Sequence, residues 1–304
     1  MKTNLKIIGL SLIVMALWGS LFPMIKIGYS AFNINSSSIP DILMFAGARF
    51  IVCGFVVLLL GLSKRKKIGL PDKKSIGKIL LVGLFAMVLH YSCTYIGLST
   101  TDGSKTALIK QLGSLLYVCF SFLFIKSEKF SSLKIVGAIL GFLGIVAINL
   151  NSTGLTFSVG DVLIIGASVC TVVSGILSKN VLTNNSPFWV TGISQFAGGL
   201  VLAMIALALG VNSLSLNLKS LLVFVYICFA STVGYLLWNY VLSIATLSKM
   251  FIIKFSEPLF ACIFSAFLLG EEIFKIQYLL AFLLISIGII MGNKGDEKNE
   301  SSNK

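Results

Sequence analysis

Apolar residues along this chain gather into ten long runs that short polar segments separate. The runs cover residues 7–29, 42–62, 79–98, 106–125, 133–150, 159–181, 187–209, 218–244, 248–269 and 276–291. Most have roughly 20 residues, the length that a helix needs to cross the hydrocarbon core of a bilayer. The strands of a membrane barrel would be shorter and would alternate apolar with polar residues. The pattern predicts an all-α membrane protein with ten transmembrane helices.

The composition agrees with a bilayer as the solvent. Of the 304 residues, 57% are hydrophobic and 12% are charged, whereas soluble domains have about 45–50% apolar and about 25% charged residues. Lys2 and Lys6 precede an apolar stretch, an arrangement also found in signal peptides. No small-x-small cleavage site follows them, so we interpret this stretch as the first span.

The chain carries six cysteines and one histidine. All six cysteines lie inside apolar runs, where cysteine packs as a small apolar residue. No set of metal-ligating residues has the spacing of a metal site. The sequence therefore predicts no disulfide, no metal and no cofactor.

Basic residues are distributed unevenly between the polar segments. If the N-terminus is cytoplasmic, seventeen of the 24 lysines and arginines lie inside, three lie outside and four lie within spans. Such an excess marks cytoplasmic loops, so both termini should be cytoplasmic, with residues 294–304 as a disordered tail. The cluster Lys64–Lys67 should contact anionic lipid headgroups. Nucleic-acid binding is not expected, because no aromatic residues interleave with these charges.

An internal repeat relates the two halves of the chain. A shift of 144 residues superposes residues 91–149 on residues 235–293 without a gap, and 16 of the 59 positions are identical. The matched pairs include Tyr91 with Tyr235, Ser104 with Ser248, Lys110 with Lys254, Glu128 with Glu272 and Asn149 with Asn293. A weaker match places Arg49-Phe50 over Gln195-Phe196. Self-similarity of this kind indicates a duplicated unit.

Each half contains five spans, with residues 1–150 as the first repeat and residues 151–293 as the second. Because five is an odd number, the second repeat enters the membrane from the opposite side. Inverted repeats are common in secondary transporters, whose substrate site lies near the midplane between them. The sequence therefore predicts two inverted five-helix repeats.

Two lysines occupy equivalent positions deep in predicted spans. Lys110 and Lys254 each lie about seven residues inside a span, or roughly 10 Å along a helix. A charge inside a membrane is costly, so each lysine is a candidate functional residue. Two cations that face one cavity suit a carboxylate or phosphate of the substrate. Each lysine could instead pair with a neighbouring carboxylate or carbonyl.

Glu257 is the only acidic residue deep in a span, and it follows Lys254 by three residues. This spacing places both on one helix face, so Glu257 could neutralise Lys254 in an ion pair. Alternatively, Glu257 could bind and release a coupling proton. Both interpretations are open at this point.

Other polar residues in the spans have weaker assignments. We expect Arg49 to hold helices together through backbone carbonyls and Lys26 to reach the headgroups from the first span. His90 is interpreted as a hydrogen-bonded packing residue rather than a proton relay. An aromatic wall with polar tips could be formed around the substrate by Tyr91, Tyr95, Tyr235, Trp238, Asn239 and Tyr240. An interface belt or lipid contact is the alternative for these residues.

Glycines recur on one face of the fifth and tenth spans. They are Gly137, Gly141, Gly144, Gly288 and Gly292. Small residues let membrane helices approach closely. We expect this contact within the monomer rather than between two copies.

Several short motifs resemble the EamA family of the drug/metabolite transporter superfamily. They are Ala-Leu-Trp-Gly-Ser-Leu-Phe at 16–22 followed by Lys26, Arg49-Phe50, Tyr95–Ser99, Ser256-Glu257-Pro258 and Leu269-Gly270-Glu271. The resemblance implies ten helices in two inverted repeats, with the third, fourth, eighth and ninth spans lining the pathway. It also implies export of amino acids, other metabolites or toxic compounds. One departure is Gly113-Ser114 in the fourth span, where the family often has a proline that here remains only as Pro258.

Together these features predict a secondary transporter in a bacterial plasma membrane that exports small metabolites such as amino acids or organic anions. The chain has no Walker motif, so a gradient of an ion or a counter-substrate must drive it. A membrane enzyme or lipid-handling protein would need a catalytic constellation, and none is present in the sequence. An exporter of lipophilic cations or drugs is a further alternative. Two questions stay open at this point: whether protons are a second ligand, and whether the protein is a monomer or a homodimer.

Overall fold

A computed structural model of the protein describes residues 2–98, 103–124, 129–148, 158–212, 215–270 and 276–301. The α-helices are α1 (Lys2–Phe32), α2 (Ile39–Ser63), α3 (Arg65–Ile68), α4 (Ile76–Gly83), α5 (His90–Leu98), α6 (Gly103–Phe124), α7 (Ser132–Ile148), α8 (Val159–Val181), α9 (Pro187–Leu209), α10 (Leu218–Ile244), α11 (Leu247–Lys254), α12 (Glu257–Leu269) and α13 (Ile276–Ser301). The repeat residues Glu128, Glu272 and Asn149 lie outside the described residues.

Every predicted apolar run coincides with helix in the described part of the chain, and no strand occurs there. The all-α class is confirmed for these residues. Seven helical segments are long and apolar enough to cross a membrane. Three shorter apolar helices cover residues 109–123, 132–147 and 279–295. Ten crossings therefore stay a prediction.

Local capping explains why α8, α9 and α10 begin where the sequence predicted. Ser158 and Asp161 form a reciprocal capping box at the start of α8, and Asn217 and Ser220 form one at the start of α10. Each box satisfies backbone N–H groups that have no partner within the helix. In α9, Pro187 occupies the first turn, where its missing N–H costs nothing.

The predicted tail differs from the structure. Residues 294–301 continue α13 as helix instead of forming a disordered segment, and residues 302–304 lie outside the described residues. Contact with the start of α7 supports the extension, because a Cβ on Gly295 would lie 2.9 Å from the amide nitrogen of Lys134. Packing against a neighbouring helix stabilises a helical segment more than the intrinsic helix propensity of its residues does.

Two long helix pairs run antiparallel. Along the α2–α9 contact, Gly47 approaches Ala203, whereas Gly61 approaches Trp189. Residue numbers therefore rise on one helix as they fall on the other. The second pair joins α7 to α13.

The glycine faces of the fifth and tenth spans meet within the chain, as the sequence predicted. A Cβ on Gly137 would lie 2.6 Å from the carbonyl oxygen of Gly288. A Cβ on Gly144 would lie 2.6 Å from Ile285. Close backbone approach of this kind requires residues without a side chain.

The remaining long contacts place α1 and α8 in similar environments. Helix α1 packs against α10 and α12, and helix α8 packs against α5 and α6. Because α1 opens the first repeat and α8 opens the second, each packs against helices of the other half.

Candidate functional site

The ninth span is broken near its middle. Helix α11 ends at Lys254 and helix α12 begins at Glu257, with Pro258 in the first turn of α12. Proline has no N–H, so the carbonyl of Lys254 loses its i+4 donor. In contrast, α6 is continuous through Gly113-Ser114. The two halves thus differ at the position where the sequence lacks the second proline.

The break suits the two charges beside it. Lys254 lies in the last turn of α11, and Glu257 lies in the first turn of α12. The C-terminus of a helix carries partial negative charge and the N-terminus carries partial positive charge. Each side chain therefore meets a helix end of opposite sign, which offsets part of the cost of placing it in a membrane.

Lys110 on α6, Lys254 on α11 and Glu257 on α12 form a group of charges that act on one another. The charge of Glu257 acts on both lysines, and the charge of Lys254 acts on Lys110. All three side chains are only half-buried, although each lies in the interior of its span. Oxygen Oε2 of Glu257 is enclosed and has no hydrogen-bond partner. This oxygen forms no close ion pair with Lys254, so it is available to another donor.

One hydrogen bond lies in the middle of the aromatic residues that were predicted to surround the substrate. The hydroxyls of Tyr91 on α5 and Tyr235 on α10 lie 3.2 Å apart. The ring of Phe50 lies 5.0 Å from that of Tyr91 and 6.0 Å from that of Tyr235, between centroids. Tyr95 lies beside Tyr91 at 5.7 Å. Glu257 acts electrostatically on Tyr235, which connects this aromatic group to the charged group.

His90 is held by hydrogen bonds, as the sequence interpretation expected. A π-helix over Leu84–Leu89 precedes it and changes the register of the third span. Nitrogen Nδ1 of His90 lies 3.0 Å from the carbonyl oxygen of Ala167. A carbonyl only accepts, so Nδ1 carries a proton and donates it to Ala167. Lys110 acts electrostatically on this ring.

Arg49 is buried, with 2% of its surface exposed. Its guanidinium carbon lies 4.3 Å from the ring centroid of Phe50 and 5.4 Å from that of Tyr91. Nitrogens Nε and Nη2 have no hydrogen-bond partner. The expected bonds from Arg49 to backbone carbonyls are therefore not formed by these two nitrogens, because aromatic faces rather than carbonyls surround them.

The other predicted residues lie further from the centre. Trp238 is buried and lies 5.2 Å from Trp18, whose ring lies 5.0 Å from Tyr235. Asn239 donates from Nδ2 to the hydroxyl of Thr191 at 2.8 Å.

Two residues of the predicted set are peripheral. Tyr240 accepts a hydrogen bond from Lys6 at 3.4 Å on the exposed side of α10. Lys26 is exposed on α1. Neither is brought to the charged group.

Sequence reasoning did not name Trp18, Phe50 or Gln195 among the candidate residues. Trp18 and Phe50 supply the rings that cover Tyr235 and Arg49. Gln195 is fully buried, and both polar atoms of its amide have no hydrogen-bond partner. The signal for Gln195 was its alignment with Arg49 in the repeat.

Fold and site together define a class: a multi-pass helical membrane protein whose interior holds opposed charges and an aromatic group. The model of the EamA-like transporter family matches residues 5–150 and again residues 158–293. The chain therefore belongs to the EamA-like transporter family, and the resemblance seen in the motifs is confirmed. It is a membrane transporter whose family takes a small-molecule substrate.

Similar proteins agree with this assignment. An uncharacterized transporter from Archaeoglobus fulgidus is 26% identical over 258 residues, which cover 84% of this chain and 87% of that protein. The uncharacterized transporter YvbV from Bacillus subtilis is 24% identical over 255 residues, which cover 83% and 82%. A solved crystal structure matches with a TM-score of 0.76 at 17% identity and covers 94% of this chain and 96% of that chain. This last match shows a shared fold.

Proposed function

We propose that the protein is a secondary active transporter that exports small metabolites, such as amino acids or organic anions, by alternating access. In this proposal the chain crosses a bacterial plasma membrane ten times, and both termini are cytoplasmic. Residues 1–150 and 151–293 are inverted five-helix repeats that enclose the substrate between them.

Reciprocal contacts between the repeats support the inverted arrangement. Gly288 packs on Gly141, and Gly144, the repeat mate of Gly288, packs on Ile285, the repeat mate of Gly141. An exchange of partners of this kind is the signature of a two-fold axis. Because α7 and α13 run antiparallel, this axis lies perpendicular to the helices.

The α2–α9 contact joins corresponding helices of the two halves. Gly54 packs on Phe196, the repeat mate of Phe50, and Gly199 packs on the backbone of Ile51 and Phe50. The contacts of α1 and α8 also exchange under the repeat, because α10 and α12 correspond to α5 and α6. All of these contacts favour one axis between two inverted halves.

One observation carries the proposal: equivalent residues of the two halves meet each other at the centre. Tyr91 bonds to its mate Tyr235, and Lys110 interacts electrostatically with its mate Lys254. A group bound there touches both halves at once, so movement of one half against the other can expose it to either side of the membrane. Two lysines at this point favour an anionic group of the substrate.

Counterflow into proteoliposomes tests this function. Amino acids, organic acids and sugar phosphates are offered to the wild type and to Lys110→Ala, Lys254→Ala and Glu257→Gln. Anion flux should be lost in both lysine variants and kept in Lys67→Ala, whose side chain is exposed outside the spans. Unchanged flux in both variants would remove the lysines from the site, and no flux in the wild type would reject the transport proposal.

Glu257 favours a second candidate function, the export of lipophilic cations. Its oxygen Oε2 is enclosed without a partner, and the charge of Glu257 acts on Tyr235. Carboxylate and aromatic faces together suit a cation. Tetraphenylphosphonium flux that Glu257→Gln abolishes and Lys110→Ala leaves intact would favour this candidate over anion export.

A further inference from the structure

Arg49 is a buried cation that no anion neutralises in the described part of the chain. The faces of Phe50 and Tyr91 cover its guanidinium plane, and Tyr95 and Tyr235 interact with its charge. Ring faces attract the cation but accept no strong hydrogen bond from its N–H edge. The edge is where carboxylates and phosphates bind arginine, often with two parallel bonds.

The unpaired N–H groups call for an explanation. Nitrogens Nε and Nη2 of Arg49 are enclosed and without a partner, although most buried donors in proteins are hydrogen-bonded. An arginine placed in a membrane interior without an anion is costly, so such residues as a rule pair or line a polar pathway. A ligand that supplies the missing acceptor would remove this cost.

Charge in the centre of the molecule is also unbalanced. Lys110, Lys254 and Arg49 oppose the single carboxylate of Glu257 among the described groups that interact there. Tyr235 interacts electrostatically with both Arg49 and Glu257, which links the arginine to the group that holds the two lysines. With ionised side chains the region has a net charge of two positive charges. Positive charge lies both at Arg49 and at the two lysines.

We propose that Arg49 is a second anion subsite, so that the cargo carries two anionic groups. One group binds at Lys110 and Lys254, and the other binds at the N–H edge of Arg49, with the Tyr91–Tyr235 pair beside the chain that links them. The inference rests on the proposed transport function and narrows its substrate class to dianions. Carboxylate and phosphate share the required chemistry.

Binding measured by tryptophan fluorescence tests the subsite without any need for transport. A Trp189→Phe background keeps Trp18, which lies next to Tyr235, and Trp238, which lies next to Trp18. Succinate and butyrate have the same carbon count and differ in one carboxylate. The parent should bind succinate at least about tenfold more tightly than butyrate, since a buried charge pair contributes at least this much. 2-Phosphoglycolate compared with ethyl phosphate, which lacks the carboxylate, extends the same comparison to phosphoryl groups.

Variants of Arg49 test whether this residue causes the preference for succinate over butyrate. Arg49→Gln should bring the two affinities to within about twofold, whereas Arg49→Lys should keep the preference for succinate in part. Lys67→Gln is the matched control, because it removes an exposed cation outside the spans and should leave the ratio unchanged. An unchanged ratio in Arg49→Gln, or equal affinities in the parent, would overturn the subsite. If Arg49→Gln does not fold, the parent ratio and Arg49→Lys still decide.

Failure of the subsite and failure of transport give different results. Counterflow of monoanions or zwitterions by a parent that shows no preference for succinate overturns the subsite and leaves transport standing. Tight binding of succinate that depends on Arg49, in a protein without counterflow, supports the subsite and rejects transport.

Discussion

The hydroxyls of Tyr91 and Tyr235 lie 3.2 Å apart, and the two residues are separated by 144 positions, the offset that relates the two halves of the sequence. In a molecule built from two equivalent halves, a residue can touch its own mate only at the axis between them. The pair therefore lies on the axis of the proposed inverted repeats. Any movement of one half against the other changes this hydrogen bond directly.

Loss of either hydroxyl should destabilise the protein, and the two losses should not add. Tyr91→Phe leaves the hydroxyl of Tyr235 without its partner, which costs about 0.5–1.5 kcal/mol. The double variant Tyr91→Phe/Tyr235→Phe removes both partners, so it should cost less than the sum of the single variants. Thermal unfolding in detergent measures the cycle. Strictly additive losses would show that the two hydroxyls do not interact.

The apolar runs made most helix limits predictable, but not the interruptions. The runs predicted where α8 and α10 begin, and the structure adds that Ser158 and Asn217 cap these starts. Pro258 indicated a missing N–H, yet whether the span bends or breaks depends on the packing of Phe255, which Gly141 admits from another helix. No local signal predicted the π-helix at Leu84–Leu89, which packs against α8 and α9, two helices distant in sequence.

The candidate site was predictable where the repeat supplied it. The repeat paired Lys110 with Lys254 by sequence alone, and the charge of Lys254 acts on Lys110 in the structure. The environment of Arg49 was not predictable, since Phe50, Tyr91 and Tyr235 reach it from three different helices. Periodicity within one helix does not encode contacts of this kind.

Pro258→Ala should strengthen the ninth span and weaken transport. The substitution restores an N–H that can bond the carbonyl of Lys254, so α11 and α12 should join into one helix with a net gain of about 0.5–1.5 kcal/mol. Joining them also removes the helix ends that stabilise Lys254 and Glu257. We expect a higher melting temperature with several-fold lower counterflow.

Pro187→Ala is the matched control for this substitution. Pro187 also lies in the first turn of a helix, but no helix runs directly into α9. Its replacement should not raise the melting temperature through a new bond. Equal shifts for Pro187→Ala and Pro258→Ala would show that the break in the ninth span has no special role.

Substitution of glycine by alanine should have opposite effects at Gly288 and Gly9. A Cβ on Gly288 would lie 2.5 Å from the carbonyl oxygen of Gly137, so α7 and α13 must separate. Overpacking of this kind costs about 1–3 kcal/mol. A Cβ on Gly9 meets nothing within 4 Å, and alanine there gains up to about 1 kcal/mol of helix propensity. Thermal unfolding of the two variants should give shifts of opposite sign, and a loss of stability at both sites would contradict this prediction.

A pair of serines connects α6 to α11. Under the repeat, this pair predicts which residues touch when the pathway opens to the other side of the membrane. The hydroxyls of Ser121 and Ser248 lie 3.1 Å apart, and both residues are buried. The repeat shift takes Ser121 to Ser265 and Ser248 to Ser104, and all four positions are serine. Ser104 lies 17 residues before Ser121, which is about 25 Å along the helix and therefore at the other end of α6. If the two halves exchange conformations, Ser104 and Ser265 should approach each other when Ser121 and Ser248 separate.

Disulfide trapping can detect this exchange in a background without the six native cysteines. A disulfide forms only when the two Cα atoms come within about 4.4–6.8 Å. Ser121→Cys/Ser248→Cys should form a disulfide readily, and Ser104→Cys/Ser265→Cys should form one as the opposite state is visited. Each disulfide should stop counterflow, and its reduction should restore it. Ser121→Cys/Ser265→Cys combines the same substitutions at opposite ends of the molecule and should not form a disulfide. The contrary outcome is a disulfide at Ser121→Cys/Ser248→Cys only, in a protein that still transports when reduced. The two halves would then not exchange conformations, and alternating access by inverted repeats would be wrong.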